Sequence, residues 1–371
     1  MNSERSTVMQ QSHPRSGGDI TVPWLNEMLV TKGGFSGAVI EFSLEPVGET
    51  AGFLGDIVRI TLSWDIAGSQ PNSIIAKFPT IREANRETGK HLLAYERELK
   101  FYQHFSEGCP VNPPTFYGGV DVTGEQDFLI LIEDLKAARF ASQLEALSTQ
   151  DARQAVLGLA RMHAHYWQSP ALAEAHQFKD WAPIYGPSIA SGWPLFEQDF
   201  GDLIPDEMYP MFEPGNRMAG RVFEYFSRAR PQTLVHGDAR IENICFDGSN
   251  LPRMYDWQLA SSGPGAYDLM YFFANSIEAD QLAVVGQELV SLYFDGLVEG
   301  GVTDYSREDL NRDLQIASCL LFGFSSMVGN FLANGGEAER AIVAATTPRY
   351  WGTCQFFEVG DVIEGLAELL V

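Results

Sequence analysis

The sequence predicts an α+β chain of two lobes: a small, mostly antiparallel sheet lobe, then a larger and mostly helical one. Three observations carry this. The first 135 residues hold short β-patterned runs broken by Gly, Pro and Asn turns, plus one long amphipathic helix. After the run Leu129 to Leu135 the apolar spacing becomes helical. Residues 231–273 then place a turn Asp, an Asn and a second Asp around a short hairpin. At 371 residues the chain can form two modest domains or one two-lobed unit. The expected division is a disordered leader over 1–20, a first lobe over 21–134 and a second over 135–371.

Taking the elements in order, Thr21 caps a short helix through Trp24, Leu25, Met28 and Leu29, which Gly33 and Gly34 end. Ala38 to Leu44 and Asp56 to Trp64 read as strands, the second alternating Ile57, Arg59, Thr61 with Val58, Ile60, Leu62. The linking stretch carries Gly48, Gly52 and Gly55. Such glycines let backbone approach a ligand such as phosphate, or simply form a hairpin. Ser73 to Phe78 is a third strand. Its Lys77 either snorkels to solvent, the commoner outcome, or meets an anion. A helix spans Gly89 to Phe105 and carries Glu96 and Glu98. Phe116 to Val122 and Asp127 to Ile132 are strands joined by a Thr123-Gly124-Glu125 turn.

In the second lobe, Ser148 starts a helix through His163 and His165 to Trp167. Their i,i+2 spacing points these histidines about 200° apart, so they cannot share a metal. Residues 169–215 are irregular and aromatic-rich, either a substrate-facing insertion or satellite packing. Helices follow over Asn216 to Arg230, Ser276 to Glu299, Ser306 to Ala333 and Gly352 to Leu370.

Composition excludes several classes. The net charge of −24 repels nucleic acid and anionic membranes. It would attract cationic substrates, but it reads more simply as a solubilising surface. The four cysteines are scattered, without metal or redox spacing, as expected of reduced thiols in the cytoplasm. The first residues lack the apolar core of a signal peptide. Leu314 to Gly336 is uncharged and long enough to span a bilayer, but its Ser, Asn, Gln and Gly content favours a buried core helix.

The chemistry concentrates after Leu234-Val235. His236-Gly237-Asp238 is a tight turn, and Asn243 follows Asp238 by five residues. Ile244 to Phe246 and Arg253 to Tyr255 form a hairpin that puts Asn243 and Asp256 at its open end. An amide oxygen and a carboxylate there suit Mg²⁺, with phosphate and water completing the shell. Asp238 can take the proton of an attacking hydroxyl. Arg240 can stabilise charge on a transferring phosphoryl group.

The phrases HGDARIEN, MYDWQ and GAYDLMYF closely resemble the aminoglycoside phosphotransferase and choline kinase families of the protein-kinase-like fold. Asp-Trp-Gln and LARMHAHYW look most like the ecdysteroid-kinase-like branch. The resemblance runs from about residue 21 onward. It implies ATP and Mg²⁺, with Asp238 as catalytic base and Asn243 and Asp256 as metal ligands. It further implies that Lys77 meets the phosphates, paired with Glu98 or failing that Glu96. Gly52, Phe53, Leu54 and Gly55 would form the phosphate-facing loop. Backbone groups of Ile132, Glu133 and Asp134 would meet adenine, and Asp268 and His236 would brace the catalytic loop. Gln258 replaces a protein-kinase glycine, as is common in this branch, and AGFLG matches no strict glycine loop. The expected activity is ATP-dependent phosphorylation of a small-molecule hydroxyl. The acceptor would be a hydrophobic steroid- or terpenoid-like alcohol, or alternatively choline, ethanolamine or an aminoglycoside. A non-catalytic nucleotide-binding module and a metal-dependent hydrolase using His236 and Asp238 are the rival classes.

Overall fold

In the computed structural model, the structure describes residues 13–47, 54–122, 127–249, 251–332, 336–360, 362, 363 and 365. The chain divides into two compact units: residues 1–90 with 115–134, and residues 91–114 with 135–371. The architecture is mixed α+β, with an antiparallel sheet in the first unit and mainly helices in the second.

The sheet unit comprises α1 (Val22–Asn26), β1 (Val39–Pro46), β2 (Gly55–Trp64), β3 (Ser73–Pro79), α2 (Glu83–His91), β4 (Phe116–Val122) and β5 (Asp127–Glu133). The strand order is β1-β2-β3-β5-β4, every pair antiparallel. The period-2 pattern decides the buried face. Ile60 and Leu62 join Ile74, Ala76, Phe78, Leu129 and Leu131 under Trp24, Leu25, Met28 and Leu29. Thr21 Oγ1 accepts the Trp24 N–H at 3.3 Å, so the helix starts where the cap residue lies. The leader needs correction over its described part. Asp19 accepts from the Ser16 N–H at 2.9 Å and closes a turn over Gly17–Asp19, and Ile20 is buried in the same core. Residues 1–12 and the Thr123-Gly124-Glu125 turn lie outside the described residues.

The second unit begins with α3 (Ala94–His104). The single helix expected over 89–105 is two, because Leu93 takes a left-handed φ of 54° and breaks it. The segment 91–114, read from sequence with the first lobe, groups with the helical unit. Two contacts explain why. Phe101 stacks on Trp257 with centroids 3.6 Å apart, and Arg97 donates to the Ser261 hydroxyl at 2.7 Å. After β6 (Arg139–Phe140) and α4 (Thr149–His165) comes α5 (Ala182–Phe200), a helix where sequence suggested irregular chain. Next are α6 (Phe212–Ala229), β7 (Thr233–Val235), β8 (Ile244–Phe246), β9 (Arg253–Met254) and β10 (Ser261–Gly263). Five helices close the unit: α7 (Gly265–Ser276), α8 (Ala279–Glu299), α9 (Arg307–Ser318), α10 (Leu320–Leu332) and α11 (Glu337–Phe356).

The uncharged stretch after Leu314 divides between α9 and α10. Its serines are satisfied locally, Ser318 and Ser325 donating to the carbonyls of Leu314 and Leu321 at 2.7 and 2.8 Å. Among the described residues no helix is long and apolar enough to cross a membrane. The four cysteines are buried and none forms a disulfide.

Candidate active site

The site is built on the chain between β7 and α7. β7 pairs with β10, Val235 opposite Ser261, and delivers His236 into the interior. Gly237 then turns with φ 84°, and a Cβ there would lie 2.2 Å from the Leu259 carbonyl oxygen. Only glycine fits both conditions.

Asp268, in the first turn of α7, holds this turn from inside. Its carboxylate accepts the N–H groups of His236 and Gly237 at 2.6 and 3.0 Å, and lies 3.2 Å from His163 Nε2. His163 is in turn 2.7 Å from the Tyr293 hydroxyl, so it serves as a buried brace. The Tyr267 hydroxyl donates to the Gly237 carbonyl at 3.2 Å. His236 has both ring nitrogens engaged. The Asp238 N–H donates to Nδ1 at 3.3 Å, so Nε2 carries the proton and donates to the Tyr255 carbonyl at 3.0 Å. Burial lowers the imidazole pKa, against Asp268 and Asp238, which act to raise it. A metal site using His236 therefore has no free nitrogen to offer.

Asp238 emerges from this turn with its side chain 16% exposed. The Asn243 amide donates to both the Asp238 carbonyl and Oδ2, each at 2.9 Å. Arg240 Nε lies 3.3 Å from the same Oδ2, and its other end donates to Gln143 Oε1 at 3.4 Å. Burial works against the Arg240 charge, but Asp238 and Tyr271 outweigh it and its pKa is raised. One carboxylate oxygen is thus fixed twice, while Oδ1 has no hydrogen-bond partner among the described residues.

Asn243 and Asp256 flank the open end of the hairpin. Ile244 pairs with Met254, and the Tyr255 N–H donates to the Asn243 carbonyl at 3.1 Å. The Asn243 amide nitrogen is spent on Asp238, leaving its amide oxygen as the donor to a ligand. Asp256 has φ 64°, a left-handed conformation costly for a residue with a Cβ. One amide oxygen and one carboxylate are hard oxygen donors and fit Mg²⁺. Among the described residues no group of three or more His, Cys, Asp or Glu stands ready to hold a metal.

In the sheet unit, Lys77 does not reach solvent as a lone strand lysine usually does, being only 6% exposed. Its stem passes Gly55, where a Cβ would lie 3.1 Å from Lys77 Cε. Leu54 is buried and its carbonyl accepts the Thr80 N–H at 3.2 Å. Gly52 and Phe53 lie outside the described residues. Ile132 and Glu133 end β5, and the Glu133 N–H is bonded to the Thr115 carbonyl at 2.9 Å. Asp134 is structural through its side chain, accepting from Arg59 Nε at 2.8 Å and from the Ser73 hydroxyl at 2.7 Å. On α3, Glu98 is buried, whereas Glu96 is half-exposed and pairs with Lys100 at 3.0 Å.

Sequence reasoning did not single out Tyr267 and Tyr271 on α7, or Tyr185 on α5. The signal for the first two was present, since an i,i+4 pair one turn apart brackets Asp268 on the same helix.

Residues 80–307 match the phosphotransferase enzyme family (APH). The fold is similar to a structure from Ralstonia eutropha provisionally described as an aminoglycoside phosphotransferase, at 13% identity and TM-score 0.53, covering 91% of this chain and 96% of that one. It is also similar to aminoglycoside 2′-phosphotransferase-IIIa in its GDP complex, at 13% identity and TM-score 0.52, covering 91% and 99%. No curated protein matches the sequence. The match over residues 80–307, which include the Asp238 turn and the hairpin, decides the assignment: this chain belongs to the phosphotransferase enzyme family and is a kinase for a small-molecule hydroxyl.

Proposed function

We propose that the chain transfers the γ-phosphate of ATP to the hydroxyl of a small alcohol, with Asp238 orienting the nucleophile. The observation that carries this is the division of labour within one carboxylate. Oδ2 is pinned by Asn243 and Arg240, while Oδ1 is left to accept the hydroxyl proton. Fixing the base before substrate arrives removes that ordering from the reaction step. Asn243 and Asp256 would hold Mg²⁺, which when bound neutralises charge on the phosphates. Arg240 adds a fixed positive charge beside the same carboxylate. Lys77, by the family resemblance, would meet the phosphates, and the Ile132–Asp134 backbone the base. Four buried cysteines without a disulfide support a reducing, cytoplasmic setting.

For the acceptor, resemblance to the ecdysteroid-kinase-like branch favours a hydrophobic alcohol, with choline, ethanolamine and aminoglycosides as alternatives. Because one structural neighbour is a GDP complex, ATP is to be assayed beside GTP. With a turned-over acceptor, Asp238→Ala and Asp256→Ala are each expected to reduce kcat at least about a hundredfold, the scale of a lost general base. Full activity in either variant would overturn the roles. Absence of any nucleotide-dependent thermal shift in Mg²⁺ would point instead to a different ligand.

A further inference from the structure

Three tyrosines of the helical unit surround the Asp238 turn, and they are not equivalent. Tyr267 spends its hydroxyl on the Gly237 carbonyl. Tyr271, one helical turn further on α7, stacks on Tyr267 with centroids 5.7 Å apart. Tyr185, from α5, shares with Tyr271 a contact to Phe324 of α10, at 5.4 and 5.7 Å. Tyr185, Phe324 and Tyr271 thus form one wall next to the carbonyl that Tyr267 fixes. Neither the Tyr185 nor the Tyr271 hydroxyl has a hydrogen-bond partner among the described residues. Tyr185 is nevertheless nine-tenths buried, with 9% exposure. The phenol oxygen itself is not sealed off, so an incoming ligand can reach it.

Both phenols feel the Asp238 carboxylate and the Tyr350 phenol, and Tyr271 also feels Tyr185. Burial first, and those charges second, drive their pKa values upward, so both remain neutral O–H groups at physiological pH. Their rings are packed against other aromatics. Tyr185 packs against Phe223 at 4.8 Å as well as Phe324, and Tyr271 against Tyr267 and Phe324. An aromatic cage for a quaternary ammonium needs open faces, and ring neighbours crowd both of these tyrosines. The cation already beside Asp238 is Arg240, at 3.3 Å, which further disfavours a polycationic acceptor.

We propose that the Tyr185 and Tyr271 hydroxyls bind the acceptor by a second oxygen, and that the acceptor is an uncharged ring alcohol bearing at least two oxygens. One oxygen would lie at Asp238 Oδ1 as nucleophile, and another would receive or donate a hydrogen bond at the phenol pair. The inference rests on the kinase reading above and narrows its substrate class, against choline and aminoglycosides.

The test uses the full-length chain with Mg²⁺ and ATP against four probes: estriol and myo-inositol as neutral polyhydroxylated rings, choline and kanamycin as cations. Transfer to a neutral ring is expected, with Tyr185→Phe and Tyr271→Phe each raising the acceptor KM about three- to tenfold, as befits one lost hydrogen bond. The effect on kcat should be smaller, and the ATP-dependent thermal shift reports that each variant is folded. A purely structural role would lower the melting temperature without this split between KM and kcat. If ATP shifts the protein but only choline or kanamycin is phosphorylated, or neither neutral ring is, the inference is overturned and the kinase reading stands. The same holds if both tyrosine variants keep the wild-type acceptor KM. If neither ATP nor GTP gives a shift or turnover, the kinase reading itself fails.

Discussion

Gly237 and Asp268 show how single residues carry the site. A Cβ at Gly237 would meet the Leu259 carbonyl oxygen at 2.2 Å with φ at 84°. Gly237→Ala is therefore expected to destabilise the fold by about 1–3 kcal/mol or more, measured by chemical denaturation. Asp268 accepts from two backbone N–H groups, so Asp268→Asn turns an acceptor into a partial donor at a buried site. It should cost about 2–4 kcal/mol and lower activity, whereas substitution of the exposed Glu213 should do neither. His236 gives a pH signature. Its folded pKa is lowered by burial, so between that value and the ordinary histidine pKa the unfolded chain binds the extra proton. Stability should fall as pH drops through about 6.5, the ordinary histidine range. His236→Asn, which cannot titrate, should flatten that part of the melting temperature profile; an unchanged profile would remove His236 as the cause. At this scale Asp238, Asn243 and Asp256 were legible because their spacing around a hairpin is local. That Asn243 donates twice to Asp238 was not, because a side-chain rotamer is set by its surroundings.

The helices were read less completely than the sheet. α5 contains Pro187 and Pro194 and was read as irregular chain. It is helical because it packs against α10 at very short range. A Cβ at Gly192 would lie 1.9 Å from the Ser326 carbonyl oxygen, and one at Gly329 would lie 2.0 Å from that of Gly192. Close backbone approach at small residues offsets weak helix propensity, as burial commonly does. Gly192→Ala or Gly329→Ala should push these helices apart and lower the melting temperature more than Gly220→Ala, where a Cβ meets nothing within 4 Å. α11 repeats the lesson, running over Glu337–Phe356 through Pro348 where only its end was expected. The break at Leu93 is the converse case, since good helix formers on both sides hid a left-handed residue. The aromatic stretch 169–215 also divides in two. Phe178, Trp181 and Phe196 are buried packing, while Tyr185 shares Phe324 with Tyr271 of α7.

For the whole molecule, charge is the property read most directly. With a net charge of −24, self-repulsion opposes compaction, and screening should relieve it. The melting temperature is expected to rise between about 50 mM and about 500 mM NaCl, over which the Debye length shrinks several-fold. A flat or falling response would mean that the acid is locally compensated by pairs such as Arg153–Glu288 and Arg230–Asp309. The sheet lobe followed its period-2 pattern closely, with Ile60 and Leu62 inward and Thr61 exposed. Its lysine did not behave as a lone strand lysine does, because neighbouring strands bury it beside Gly55.

The sequence alone determined the α+β class, the family and the three acidic and amide positions proposed for the active site. These depend on residue type and on short-range spacing, which a linear chain displays. Tertiary structure decided which Asp238 oxygen is free, why Gly237 is obligatory, that two proline-bearing segments are helices, and that α3 is clamped by Trp257 and Ser261. Each of those is a relation between residues far apart in the chain, fixed by packing density and by the need to satisfy buried polar groups.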